Sequence, residues 1–358
     1  MTLWPRARHT SAKHAILKRY LDAWLPIMSR YNEHLVLIDG FAGPGEYAGG
    51  EPGSPVIALD CALTHTRDLN RTELTYIFIE RDDASRAHLE SLLRSRTIPS
   101  NVRTQVLPGL FDERATAILD HLESVPRRPP PAFVMVDPFG FSGVPFEIIR
   151  RLATHPKSEV LFTLMSESIN RFISKPELEG TFDSLFGHPA WRRTHELSTP
   201  DKRWEYIYRL YASQLKSAGF QWVRAFEMKD DGGRTEYHLT FATHGMEGLK
   251  QMKAAMWSVD PSGQYRFSDA TDPNQLTLFG TEPDWSQLQK EVLQHFRTRT
   301  VSVREIEEFV LCHTAFRETH VRRALVDLEK SGTLQPEYKP GRRRGTFPSA
   351  LRVTFAAF

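Results

Sequence analysis

From His34 to Met165 short apolar runs alternate with helical patterns, and that rhythm limits the fold more than any other feature. HLVLIDG ending its run at Asp39, LTYIFIE (Leu74–Glu80), VRTQVL, AFVMVDP and SEVLFTLM read as strands. SPVIALDCAL, DASRAHLESLLRSR, DERATAILDHL and VPFEIIRRLATH, which lie between them, read as helices. Strands separated by helices are βαβ units, which build a largely parallel, doubly wound α/β sheet covered on both faces. A helix comes first. Ala15, Ile16, Tyr20, Leu21 and Trp24 recur at helical spacing, with Ser11 expected as its N-cap.

The rhythm breaks over 170–200, a Phe-, Pro- and His-rich stretch read as an insertion or lid. A helix, RWEYIYRLYASQLKSAG, follows. Then come two strands, QWVRAFEM and EYHLTFATH, around a turn at Lys229–Arg234 whose glycines tolerate positive φ. At 358 residues two domains are expected. The pattern sets them at 1–260 and 284–358, joined by a Pro-, Gly-, Ser- and Asp-rich linker over 261–283. The second has three helices, then two strands around a basic turn, which is a winged-helix pattern.

The charges balance, with 46 Lys and Arg against 44 Asp and Glu, so the whole chain makes no case for a nucleic-acid partner. The case is local. Arg322 and Arg323 fall on the third helix of the second domain, and Lys339, Arg342, Arg343 and Arg344 fall in its wing. A recognition helix with an Arg-rich wing suits phosphate contact, although basic winged helices also bind proteins. The two cysteines are far apart and His155, His188 and His195 lack ligand spacing, so no metal site is expected. No signal-like or membrane-length apolar run is present, which makes the cytoplasm the default expectation.

Three motifs sit at strand ends, where open α/β sheets hold ligands. The first is Asp39-Gly40-Phe41-Ala42-Gly43-Pro44-Gly45. Its glycines permit a tight turn and close approach of a ligand, which in adenosylmethionine enzymes is the amino-acid end of the cofactor. The second is Glu80, an acid placed to accept hydrogen bonds from ribose hydroxyls. The third is Asp137-Pro138-Phe139-Gly140-Phe141. There the Asp137 carboxylate and the Pro138 carbonyl suit a substrate amine, and Phe139 or Phe141 suits stacking on a flat base. A Gly-rich surface turn, an exposed strand-end acid and a structural turn are the plainer readings of the same three segments.

The segments AKHAILKRYLDAW, IDGFAGPGEYAGGEPGSP, FIERD, VDPFG, YHLTFATH and MKAAMWSVDPSG together resemble the three-Cys-motif partner (TcmP) family, across roughly the whole chain. The resemblance implies a class I methyltransferase-like domain, and a radical-SAM-like protein with a three-cysteine motif as partner. The chain is more distantly similar to ribosomal-RNA adenine-N6 methyltransferases. On that likeness Lys13, His14, Tyr47 and Ser54 join the cofactor set. That group has Asp-Pro-Pro-Tyr where this chain has Asp137-Pro138-Phe139-Gly140, and the acid expected after the third strand falls near Leu110 and Asp112. The function expected is methyl transfer from S-adenosylmethionine to a nucleic-acid base nitrogen. The alternative is a non-catalytic, nucleic-acid-binding accessory protein.

Overall fold

The computed structural model describes residues 3–67, 69–124, 128–230, 232–262, 266–268, 283–338 and 341–356. Lys339 and most of the 261–283 stretch lie outside them. The chain divides into two compact units, Met1–Ala255 with Arg266–Gln275, and Met256–Tyr265 with Leu276–Phe358.

The first unit follows the sequence rhythm. After α1 (Arg8–Ser29) come β1 (His34–Asp39), α2 (Ser54–Leu63), β2 (Glu73–Glu80), α3 (Asp83–Arg94) and β3 (Val102–Pro108). Then follow α4 (Phe111–Ser124), β4 (Ala132–Val136), α5 (Phe146–Ala153) and β5 (Ser158–Leu164). Local chemistry sets several ends. Pro55 sits in the first turn of α2, and the Asp82 carboxylate caps α3 by accepting from Ser85 N–H. Ser11 does not cap α1. The helix begins a turn earlier, and the Ser11 hydroxyl donates to the Ala7 carbonyl at 3.2 Å, a bond made from inside a helix.

The remaining elements are α6 (Ser166–Phe172), α7 (Glu179–Phe186), α8 (Pro200–Ala218), β6 (Trp222–Lys229), β7 (Thr235–Thr243), α9 (Met246–Val259) and β8 (Arg266–Ser268). The sheet order is β3-β2-β1-β4-β5-β7-β6-β8. The first five strands are parallel; β7 runs antiparallel to both β5 and β6, and β8 pairs parallel to β6. This is a doubly wound, Rossmann-like sheet, and the strand order reverses between β1 and β4. Residues 170–199 pack inward: Phe182, Phe186 and Trp191 are fully buried in the same core as Ile149, Phe162 and Tyr211.

The second unit contains α10 (Trp285–Phe296), β9 (Thr300–Ser302), α11 (Val303–His313), α12 (Val321–Lys330), β10 (Leu334–Pro336) and β11 (Arg352–Phe355). Its small sheet, in the order β10-β11-β9, is antiparallel. Asp284 caps α10, and Ser302 with Glu305 forms a capping box on α11. One core gathers Leu288, Ile306, Leu325, Phe347 and Val353. Three helices and a β-wing make this a winged helix.

Candidate functional site

At the carboxyl ends of β2, β1 and β4, three acids stand side by side in the sheet order. Asp39 closes β1 and is 5% exposed. One of its oxygens accepts the Phe41 N–H at 3.1 Å, and the other accepts the Ser54 hydroxyl at 2.7 Å. It therefore ties the glycine loop to the start of α2. Burial pushes its carboxyl up to about 7, against the two hydrogen bonds.

Glu80, at the end of β2, spans the loop from the other side. Oε2 accepts the Gly43 N–H at 2.8 Å and Oε1 accepts the Asp82 N–H at 2.7 Å. Each carboxylate oxygen keeps a lone pair for a further donor. Gly40 is pressed against the Phe111 ring, and Phe111 lies 5.4 Å from the Phe41 ring. Gly43, at φ +62°, has open space where a side chain would stand. Ala42 is buried, its N–H bonded to the Ile79 carbonyl. Gly45 (φ +87°) accepts the Gly53 N–H at 2.7 Å, which closes a small hairpin through the Glu46–Pro52 bridge.

Tyr47, on that hairpin, faces His14 across 5.7 Å. His14 is buried with Nδ1 unpartnered. Burial first, and then neighbouring Lys13, push its imidazole down to about 3, so it is neutral. Lys13 turns elsewhere: its ammonium pairs with the Asp137 carboxylate. Burial would raise Asp137, but the Lys13 charge and hydrogen bond, aided by the Thr163 hydroxyl, outweigh it and hold the carboxyl below its ordinary value. The Lys13 ammonium also lies 5.6 Å over the Tyr237 ring.

The rest of the third motif splits in two. Pro138 is buried. Phe139 is 78% exposed beside Trp4, at 6.3 Å between ring centroids. Gly140 has open space where a side chain would stand. Phe141 turns inward and stacks on Phe182 at 4.8 Å, so Phe139 is the ring left facing out. After β3, Leu110 is exposed and Asp112 accepts the N–H of Glu113 within the first turn of α4. Thr163 and Tyr237 went unnoticed in the sequence. They sit on β5 and β7, and only the pairing of those strands brings them to this end of the sheet.

In the winged helix the five arginines expected to contact nucleic acid divide. Arg342 is turned inward. It pairs with Glu329 of α12 at 2.7 Å and is 15% exposed. Arg322 is half exposed and reaches Glu307 at 2.9 Å, and the Arg323 guanidinium lies 4.4 Å over the Trp285 ring. Arg343 and Arg344 are exposed.

No described helix is long and apolar enough to cross a membrane. A family described as the GMT-like wHTH domain matches residues 266–341. No curated protein matches the chain. Among solved structures, it is similar to Trm1 from Pyrococcus horikoshii in complex with S-adenosyl-L-methionine. The identity is 11%, over 98% of this chain and 94% of that one, with a TM-score of 0.40. It is also similar to the METTL16 MTase domain (14% identity, 62% of this chain, 66% of that one, TM-score 0.32). A methyltransferase structure from Porphyromonas gingivalis is matched at 14% identity over 62% of this chain, with a TM-score of 0.28, and the chain spans 40% of its length.

Proposed function

We propose that this protein transfers a methyl group from S-adenosylmethionine to a base nitrogen of a nucleic acid. One observation carries the reading. Asp39, Glu80 and Asp137 stand on neighbouring parallel strands at the point where the strand order reverses, around a glycine loop that is open at Gly43.

The residues present fit the cofactor. The Asp39–Gly45 loop, shaped by Asp39 and Ser54, offers a cradle that is open at Gly43. The spare lone pairs of Glu80 suit ribose hydroxyls, and buried His14, beside the half-buried Tyr47, carries an unsatisfied ring nitrogen. The cofactor supplies an electrophilic methyl group. Asp137 is ionised and accepts one amine hydrogen; the Pro138 carbonyl suits the second, and Phe139 offers its face to the base. With both hydrogens held, the nitrogen lone pair is aimed. Held by the Asp39–Gly45 loop and Glu80, S-adenosylmethionine would supply its methyl to that nitrogen and leave as S-adenosylhomocysteine, and the amine's surplus proton would pass to solvent. Lys13 bonds Oδ2 of Asp137 and holds the carboxylate ionised while the amine docks.

That ion pair also favours a second reading, in which Lys13 keeps Asp137 occupied and the protein is an accessory nucleic-acid binder, partnered by a three-Cys-motif radical-SAM-like protein. Transfer of a labelled methyl group into RNA and DNA pools separates the two. The catalytic reading expects transfer by the native chain and a loss of at least about a hundredfold in Asp137→Ala, with adenosylmethionine affinity kept within a few-fold. Transfer that survives Asp137→Ala would sink it.

A further inference from the structure

Helix α4 does not close on the sheet beneath it. Between them lies a slot of about 960 Å³, within the usual range of small-molecule sites. Its helix wall is Phe111, Ala115, Ile118, Leu119 and Leu122, a single α4 face at i, i+4, i+7, i+8 and i+11. Its floor is Val36, Ile38, Ile77, Leu107 and Val134, from four strands. Floor and wall are packed less tightly than the opposite face of the sheet: Val36 is 8%, Ile77 9% and Ala115 7% exposed, against 0% for Leu35 and Tyr76. Apolar surface is left uncovered along the slot.

The two ends of the slot differ. From Phe111 to Leu122 the wall runs about 16 Å at the helical rise. The inner end is closed by Phe111, whose ring meets Gly40 and Phe41 of the glycine loop. The outer end, at the start of the strands, is polar and cationic. Arg128 and Lys157 are exposed there, with Glu33 the acid among the lining residues. His34 Nε2 and Thr75 Oγ1 satisfy each other at 2.9 Å, and Lys157 donates to Asn32 Oδ1 at 2.6 Å. His155 Nε2 is buried without a hydrogen-bond partner.

We propose that this slot binds a linear amphiphile, with its hydrocarbon tail along α4 and its carboxylate head at Arg128, Lys157 and His155. A single chain suits a slot bounded by one helix and one sheet, and two cations against one acid suit an anionic head. A tail that reaches Phe111 bears on the ring supporting Gly40 and Phe41, so occupancy stiffens the glycine loop. The site stands whether or not the loop holds a cofactor.

Titration calorimetry on the full chain tests the proposal, with octanoate, decanoate, dodecanoate and 1-dodecanol as probes. The expected result is one site per chain, with affinity rising by up to about fourfold per methylene. Ala115→Phe, which fills the slot, weakens dodecanoate at least tenfold. Arg128→Glu with Lys157→Glu, on the exposed rim, weakens dodecanoate at least tenfold and leaves 1-dodecanol within twofold. Dodecanoate slows amide exchange over Gly40–Gly43. Non-saturable uptake, affinity independent of chain length, or undiminished dodecanoate binding by the charge-reversed chain overturns the proposal. The rim variant keeps the test decisive if Ala115→Phe fails to fold.

Discussion

Lys13 and Asp137 are each tolerable in their setting because of the other. Lys13 is 10% exposed and Asp137 22% in their side chains, so removing one strands the other's charge away from water. Breaking a buried pair from one side costs about 3–5 kcal/mol, and the partial exposure of Asp137 sets Lys13→Met near the lower figure at pH 7. The sign of the pH dependence should invert as well. In the native chain the depressed Asp137 contributes stability above its unfolded pKa that is lost on acidification. In Lys13→Met burial is opposed chiefly by the Thr163 hydroxyl bond and the carboxyl is raised, so stability is regained as pH falls. Urea melts at pH 4 and pH 7 check this, and a double variant with Asp137→Asn should cost less than the two single changes together. His14 and Asp39 form an opposed pair of a different kind. His14, held down to about 3, takes stability away as pH falls below its unfolded value of 6.5. Asp39, held up to about 7, takes stability away as pH rises above its unfolded value of 3.8. Between about pH 4 and 6.5 the two slopes largely cancel. Asp39→Asn should expose the His14 slope, with stability rising by up to about 1.4 kcal/mol per pH unit across that window. A flat profile in that variant would refute the account of His14 as a buried neutral base.

At the scale of elements, the loop and the hairpin behind it act as one piece. A Cβ on Gly53 would lie 2.9 Å from the Gly45 carbonyl carbon, and backbone cannot step aside there. Gly53→Ala should cost about 1–3 kcal/mol and weaken adenosylmethionine binding, measured by calorimetry. Gly50→Ala meets open space at φ +80°, so it should cost only the strain of a left-handed residue, about 1–2 kcal/mol, and spare binding. The loop itself was legible in the sequence, because an apolar run ending in Asp39 and followed by three glycines needs only local chemistry to be read. So were the five parallel strands and the Lys229–Arg234 turn, within which backbone bonds from Asp230 to Arg234 close the β6–β7 hairpin. Pairings across the fold were not legible. Glu80 meets Gly43 across 37 residues and Lys13 meets Asp137 across 124, and neither partner marks the other in sequence. Phe141 and Phe139 look alike in the motif. Which one turns inward depends on Phe182, in a segment whose helices are too short to show a period. β8 is three residues in a polar stretch, below the length at which alternation can be seen.

At the scale of the whole molecule, net charge near zero leaves nucleic-acid attraction to local patches, and in the winged helix the run Arg342-Arg343-Arg344 is not one patch. Arg342 bonds Glu329 and the Thr346 carbonyl, and Glu329 also accepts the Gly345 N–H at 2.9 Å. Burial disfavours the Glu329 carboxylate, but Arg342 and that N–H outweigh it and hold its pKa below the ordinary value. Arg342 therefore fastens the wing to α12, and the sequence concealed this because Glu329 lies thirteen residues upstream. Arg342→Ala should lower the melting temperature of the second unit and disturb the wing, and weakened nucleic-acid binding in that variant would follow from the damage. Arg343 and Arg344 are exposed and make no such bond, Arg344 adding only its charge near Glu329. If they face phosphates, replacing both with Ala should leave the melting temperature unchanged and weaken binding to RNA and DNA of any sequence alike. The slope of log affinity against log salt should flatten by about 0.7–0.9 for each phosphate no longer neutralised, so by roughly 1.4–1.8 for the pair. Fluorescence anisotropy across a salt series reads that slope directly. An unchanged slope would assign the wing to a protein partner and turn the search for the nucleic-acid surface to Arg322 and Arg323 on α12.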